Sequence, residues 1–193
     1  MVKIISYYTA VYANEAARLV ESLKKFNLDH CVEELPSLGS WDQNTRQKIP
    51  YIMKKIKEGP VLWTDSDSVI QQYPNLIFEL NCDIAIHKFR THTPHYLSGT
   101  IFFNNTPKSI AFLEQWKQYA DSQEYANNNS FRPLIKGDQG ALNVLLSKPH
   151  DLNIYELPPE YCFIFDLSKN IHKDVKPVIE HFQASRRLKR IVK

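Results

Sequence analysis

No apolar run in this sequence approaches the ~18–20 residues that a membrane-crossing helix requires, so no transmembrane segment is expected. The opening Met1-Val2-Lys3-Ile4-Ile5-Ser6 lacks the basic-then-apolar pattern of a secretory leader and reads as a strand. Cysteines are few. Cys31, Cys82 and Cys162 are an odd number, widely spaced, with no Cys-x-x-Cys pair. That argues against a disulfide framework or a zinc knuckle and for a reducing compartment, with buried, inert thiols. A cytoplasmic protein is the expectation. Charge of one sign is also scarce over the body of the chain. The net charge is +3, but residues 186–193 hold five of the 24 basic residues and no acid, which leaves 19 bases against 21 acids elsewhere. The positive charge is a tail feature, and a nucleic-acid-binding surface is disfavoured.

What is present suits a globular chain of 193 residues forming one domain with a sizeable core. Residues 2–8, rich in branched and aromatic side chains, predict a strand. A turn over Thr9–Ala13 follows, then a helix from about Asn14 to Phe26 with Ala16, Leu19, Val20, Leu23 and Phe26 on one face. A second strand fits Cys31–Leu35, stopped by Pro36. This β-α-β opening resembles a mononucleotide-binding sheet, but no Gly-x-Gly-x-x-Gly follows the first strand, so a dinucleotide fingerprint is absent. A polar loop from Ser37, a helix centred on Tyr51–Ile56, strands at Asp83–His87 and Gly99–Phe103, and a helix from Thr106-Pro107 to about Ala120 come next. In that last helix Ile110, Leu113, Trp116 and Ala120 are expected inward. Residues 121–137 predict a mobile loop near a ligand. Asp138 is expected to cap a further helix, and short strands near Asn153–Leu157 and Val178–Phe182 complete an α/β sheet, mostly parallel.

The chemistry centres on Gly59-Pro60-Val61-Leu62-Trp63-Thr64-Asp65-Ser66-Asp67-Ser68-Val69-Ile70. A Gly-Pro break, an apolar run and two carboxylates two residues apart would aim both acids into one cleft if the strand ends near them. Two hard oxygen donors suit Mg2+ or Mn2+. The same letters also make an ordinary strand-end turn. A calcium EF-loop is excluded, because Ile70 and Leu76 stand where Gly and Glu are required. Asp65 to Val69 also fits the Asp-x-Asp-x-Thr/Val of haloacid-dehalogenase-type phosphohydrolases, with Asp65 as nucleophile and Asp67 as acid. That motif usually sits on the first strand, and its second acidic pair is missing, since Leu142 stands where the companion of Asp138 is wanted. His87, His92 and His95 lack a Cys or carboxylate at zinc spacing.

More distant residues favour another relation. The strand and Asp-x-Asp, Leu97-Ser98-Gly99-Thr100 through Thr106-Pro107 with Trp116, Gly137-Asp138-Gln139, and Ile179-Glu180-His181-Phe182-Gln183 occur in the order of the GT-A nucleotide-diphospho-sugar glycosyltransferases, which this chain resembles along nearly its whole length. The resemblance implies a Rossmann-like, mostly parallel central sheet flanked by helices, with a nucleotide-binding part in about 1–105 and an acceptor side in about 106–193. A small member without a leader suits a bacterial or virus-encoded enzyme. The resemblance further implies a nucleotide-sugar donor, UDP-linked by family habit, and a glycan, glycoprotein or glycolipid acceptor. The implied metal is Mn2+, or Mg2+, on Asp65, Asp67 and His181.

Donor contacts are then expected from Thr9, Ala10, Tyr12, Arg46, Lys48, Asp65, Ser66, Arg186 and Lys189. Tyr12 would stack on the base, and Arg186, Arg187 and Lys189 would close over the diphosphate. The tyrosines serve equally as packing residues, Trp41 as a cleft wall or core cover, and the basic tail as a solvated end. Asp138 is the catalytic candidate, a general base for an inverting reaction as well as a helix cap; Ser98, Gly99 and Gln139 are sugar contacts. A sugar-binding module without catalysis is the remaining alternative.

Overall fold

The computed structural model describes residues 1–90, 94–122 and 137–188. Along them run β1 (Lys3–Tyr8), α1 (Ala13–Lys25), β2 (His30–Glu34), α2 (Trp41–Arg46), α3 (Lys48–Lys55), β3 (Val61–Thr64), β4 (Ser68–Ile70) and α4 (Asn75–Glu79). Then come β5 (Ile84–Phe89), β6 (His95–Phe103), α5 (Pro107–Asp121), α6 (Gly137–Ser147), β7 (Ile154–Glu156), β8 (Phe163–Ile164), α7 (Leu167–Ile171), β9 (Ile179–His181) and α8 (Ser185–Leu188). Residues 123–136 of the expected mobile loop and His92 fall outside the described residues, while Asp121 ends α5 and Gly137 begins α6.

A six-stranded sheet has the order β2-β1-β3-β6-β5-β7, and a smaller sheet the order β4-β9-β8. β1 pairs in parallel with β2 and β3, and β5 with β7, while β6 runs antiparallel to both of its neighbours. The central strands read as continuous apolar runs because both faces of the sheet are covered. Ile5, Trp63, Ile84, Ile86, Ile101 and Phe103 pack on one side with Ile49, Ile52, Leu113, Trp116 and Leu142 from α3, α5 and α6. Their alternate neighbours Ile4, Leu62, Ala85 and Phe102 pack on the other with Leu19 and Leu23 of α1, Ile77 of α4 and Ile179 of β9.

Several local signals account for the boundaries. Thr106 caps α5 by accepting from the Ser109 amide, with Pro107 in the first turn. Asn27, in the left-handed region at φ 51°, ends α1. The expected polar loop after Ser37 contains α2, which Ser40 starts by accepting from the Gln43 amide while its hydroxyl meets the Gln43 side chain at 2.9 Å. The Ser40-x-x-Gln43 spacing is the sequence signature of a helix start, and it was readable as such, although here the Gln43 side chain meets the Ser40 hydroxyl and not its amide. In α5, Ile110 is exposed rather than inward, and Phe112 takes a buried place instead. β9 falls within the strand expected near Val178–Phe182, but a separate small sheet was not anticipated, because β4 and β8 hold only three and two residues.

Gly137 begins α6 at φ +72°, and a Cβ there would lie 2.7 Å from Thr45 Oγ1. Gly137→Ala is therefore expected to cost about 1–2 kcal/mol from backbone conformation alone. The collision with α2 adds to that figure. A urea titration showing no loss of stability would contradict this account of the turn.

Candidate active site

A cleft of about 540 Å3 opens at the ends of β1 and β3, lined among others by Thr9, Tyr12, Trp41, Lys48, Asp65, Asp67, Asp138 and His181. β3 stops at Thr64, and Asp65-Ser66-Asp67 turns the chain from the large sheet into β4 of the small one. The Asp65 amide donates to Gly99 O at 2.9 Å, and the Ser68 amide donates to Asp65 O at 3.0 Å. Both acids reach the cleft from a turn, not by strand alternation, so the turn and the convergent carboxylates coexist. His181 arrives from β9, where it pairs with Ser68. One ligand-type atom from each of Asp65, Asp67 and His181 falls in a group whose members all lie within 4.8 Å of one another.

Each of the three is held by a hydrogen bond and lines the cleft. Asp65 Oδ1 accepts from Trp63 Nε1 at 3.0 Å and lies 3.1 Å from Lys48 Nζ. Asp67 Oδ2 accepts from the Ala184 amide at 2.7 Å. His181 Nε2 lies 2.8 Å from Thr100 Oγ1. Burial, and next the neighbouring Asp65 charge, pushes the Asp67 carboxyl up to about 6. Burial and the Lys48 ammonium bring His181 down to about 3, so the ring is neutral at ordinary pH. Gly99 leaves the space in front of the group clear. A Cβ there would come within 3.0 Å of His181 Cε1 and 3.5 Å of Asp65 Oδ2.

Lys48 links the metal-type cluster to the far wall. Its Nζ lies 2.6 Å from Asp138 Oδ2, 3.1 Å from Asp65 Oδ1 and 3.1 Å from Ser98 O. Burial works against its charge, but Asp138 and Asp65 outweigh it and hold the ammonium above its ordinary value. Asp138 lies inside the first turn of α6, and its carboxylate is engaged with Lys48 rather than capping the helix. Its carbonyl accepts from Trp116 Nε1 at 3.0 Å. Gln139 Oε1 accepts from the Ser98 amide at 3.0 Å, tying α6 to β6.

The other expected contacts divide. Thr9, Tyr12, Trp41 and Ser66 line the cleft. Ala10 sits exposed in a single turn of tighter helix. Arg46 is turned away: it pairs with Asp42 at 2.6 Å and donates to Ala120 O at 3.1 Å. Backbone in the helical region joins α2 to α3 at Gln47, so residues 46 and 48 face opposite ways, and Lys48 takes the inward position. Arg186 pairs with Asp166 and Arg187 with Glu15, which leaves both at the side of the cleft. Lys189 lies outside the described residues. Gln183, unforeseen, lines the cleft at a left-handed φ of 52°. His87 is satisfied by Leu157 O at 2.8 Å.

Residues 57–189 match the nucleotide-diphospho-sugar transferases, which is more than half of the chain. The protein belongs to this family and is a glycosyltransferase of the GT-A type. Among solved structures, a glycosyltransferase involved in the glycosylation of the major capsid of PBCV-1 superposes with a TM-score of 0.68 at 14% identity, over 98% of this chain and 96% of that one. The glycosyltransferase GlyE of Streptococcus pneumoniae TIGR4 gives 0.67 at 18% identity, over 94% of this chain and 55% of its own. The bifunctional glycosyltransferase WbbM gives 0.62 at 11% identity, over 94% of this chain and 45% of its own. This chain thus spans about half the length of the last two. At such identities these likenesses concern the fold. No curated protein sequence matches the chain. The phosphohydrolase and non-catalytic readings give way to the family, and no described helix is long and apolar enough to cross a membrane.

Proposed function

We propose that the cleft binds a UDP-sugar together with a divalent cation and passes the sugar to a hydroxyl of a glycan, glycoprotein or glycolipid acceptor. The observation that carries this reading is the convergence of Asp65, Asp67 and His181 at the strand ends, each with one donor atom left toward the cleft. Two carboxylates and a neutral imidazole suit Mn2+ better than Mg2+, which strongly prefers oxygen. When bound, the cation would offset the negative charge that develops on the departing diphosphate. UDP is the nucleotide that the family resemblance implies.

The chain's own residues then divide the work. Trp63 and Lys48 orient Asp65, and the Ala184 amide orients Asp67. Tyr12, beside Trp41, offers a ring face to the base. Asp138 is anchored through Oδ2 and presents its other oxygen to a sugar or acceptor hydroxyl, whose proton it takes if the reaction inverts. Donor recognition draws mainly on residues 1–105, with His181 and Gln183 added from the far end of the chain; the acceptor side draws on 106–193.

Saturating Mn2+ and UDP together are expected to raise the melting temperature by about 5–10 °C, as binding near a hundredfold above Kd would. Mn2+ alone should do much less. No shift with any nucleoside diphosphate would sink the reading. A donor panel, scored by slow metal-dependent hydrolysis of one UDP-sugar, identifies the sugar. Activity with a different nucleotide would reassign the base.

A further inference from the structure

We propose that Thr100 is a positioning residue for the cation site: its hydroxyl oxygen accepts a hydrogen bond from the Nε2–H of His181 and so turns the Nδ1 lone pair toward Asp65 and Asp67. This rests on the reading of those three residues as cation ligands.

A neutral imidazole carries one N–H and one lone pair, so the partner of one nitrogen decides what the other can do. Here Nε2 lies 2.8 Å from Thr100 Oγ1. Nδ1 occupies the other side of the ring, where a Cβ on Gly99 would be 3.2 Å from it and 3.5 Å from Asp65 Oδ2. The nitrogen and the carboxylate therefore border the same small space. With the proton on Nε2, that space receives a lone pair.

The ring needs such a hold. The backbone of His181 is fixed within the small sheet by pairing with Ser68 and by the Phe165 amide donating to its carbonyl at 3.1 Å. Rotation about the bond to the ring is soft and roughly two-fold, and a half-turn would put carbon where Nδ1 stands. Thr100 belongs to the large sheet, opposite Thr64, and is followed by the buried apolar run Ile101-Phe102-Phe103. Its exposure is 0% and that of His181 is 1%. A hydroxyl at such depth is costly to bury unless it is partnered. The ring of His181 is the partner that Thr100 has across the sheet boundary.

The test compares Mn2+ and Mg2+ affinities of the metal-free protein, read from the free Mn2+ paramagnetic resonance signal, directly and in competition. Thr100→Val keeps volume and strand preference but removes the hydrogen bond. It is expected to weaken Mn2+ binding about 10–100-fold. Mg2+ should weaken less, because imidazole nitrogen contributes little to it, so the Mn2+:Mg2+ preference narrows. Thr100→Ser keeps the hydroxyl and should bind Mn2+ within a few-fold of the parent. Thr100→Ala, also without the hydroxyl, gives the same comparison should the valine variant misfold. Three results would overturn the inference alone: a valine variant within twofold of a Mn2+-binding parent, a serine variant as weak as valine, or equal losses for both cations. A parent that binds neither cation would overturn the reading of the ligand set, and Thr100 with it.

Discussion

Replacing Lys48 by methionine is expected to lower stability by about 3–5 kcal/mol, or roughly 6–20 °C in melting temperature. The Nζ of Lys48 stands between Asp138 and Asp65, and the side chains of Lys48 and Asp138 are each only 5% exposed. Their mutual attraction is opposed by the cost of burying both charges, so the intact pair contributes little net stability. Removing one partner is different, because Asp138 then remains buried without its counter-charge. Lys48→Met combined with Asp138→Leu should therefore recover much of the loss, and the double-mutant cycle measures the coupling. The folded pKa of Lys48 is raised above 10.5, so its contribution is complete below the unfolded value and is lost only as pH rises through the folded one. The deficit should accordingly be the same in melts at pH 6 and pH 9. A loss below about 1 kcal/mol, the size of a surface pair, would contradict the buried-pair account.

Asp67→Asn is expected to reduce transfer about a hundred- to thousandfold, the scale for removing one fixed electrostatic group at a reacting centre. Asparagine still accepts from the Ala184 amide through its side-chain oxygen, so the local backbone has no reason to move. It also removes a charge that sits against Asp65. The metal-free variant should thus melt no lower than the parent, while the shift produced by Mn2+ and UDP disappears. Full activity at saturating Mn2+ would place the essential carboxylate elsewhere.

The alternation of strands and helices, the Thr106-Pro107 start and the order of the four motifs were legible because each is written in adjacent residues. What was hidden is instructive in kind. Lys48 was readable as a polar group near the nucleotide, yet it stands four residues before the fully buried Ile52 on one helical stripe. A lysine on a core-facing stripe requires a carboxylate, and that spacing was a usable signal for its pairing with Asp138. Arg46 was misplaced because a loop was assumed where the Ser40 cap starts a helix, and a helix decides which side chain points inward. β4 and β8 escaped notice since strands of two or three residues carry no periodicity, and with them the separate small sheet that β9 joins. The bond between Thr100 and His181 spans 81 residues, and no local pattern announces it.

Among the described strands β4 pairs with β9 alone, so Ser68–Ile70 waits for Ile179–His181. Closing so long a loop carries an entropic cost that is recovered only after most of the large sheet exists. During synthesis the two aspartates emerge early and His181 late. On the proposed ligand set the cation could bind only once β9 has joined β4, and truncation anywhere before β9 is expected to abolish Mn2+ binding even where the large sheet survives.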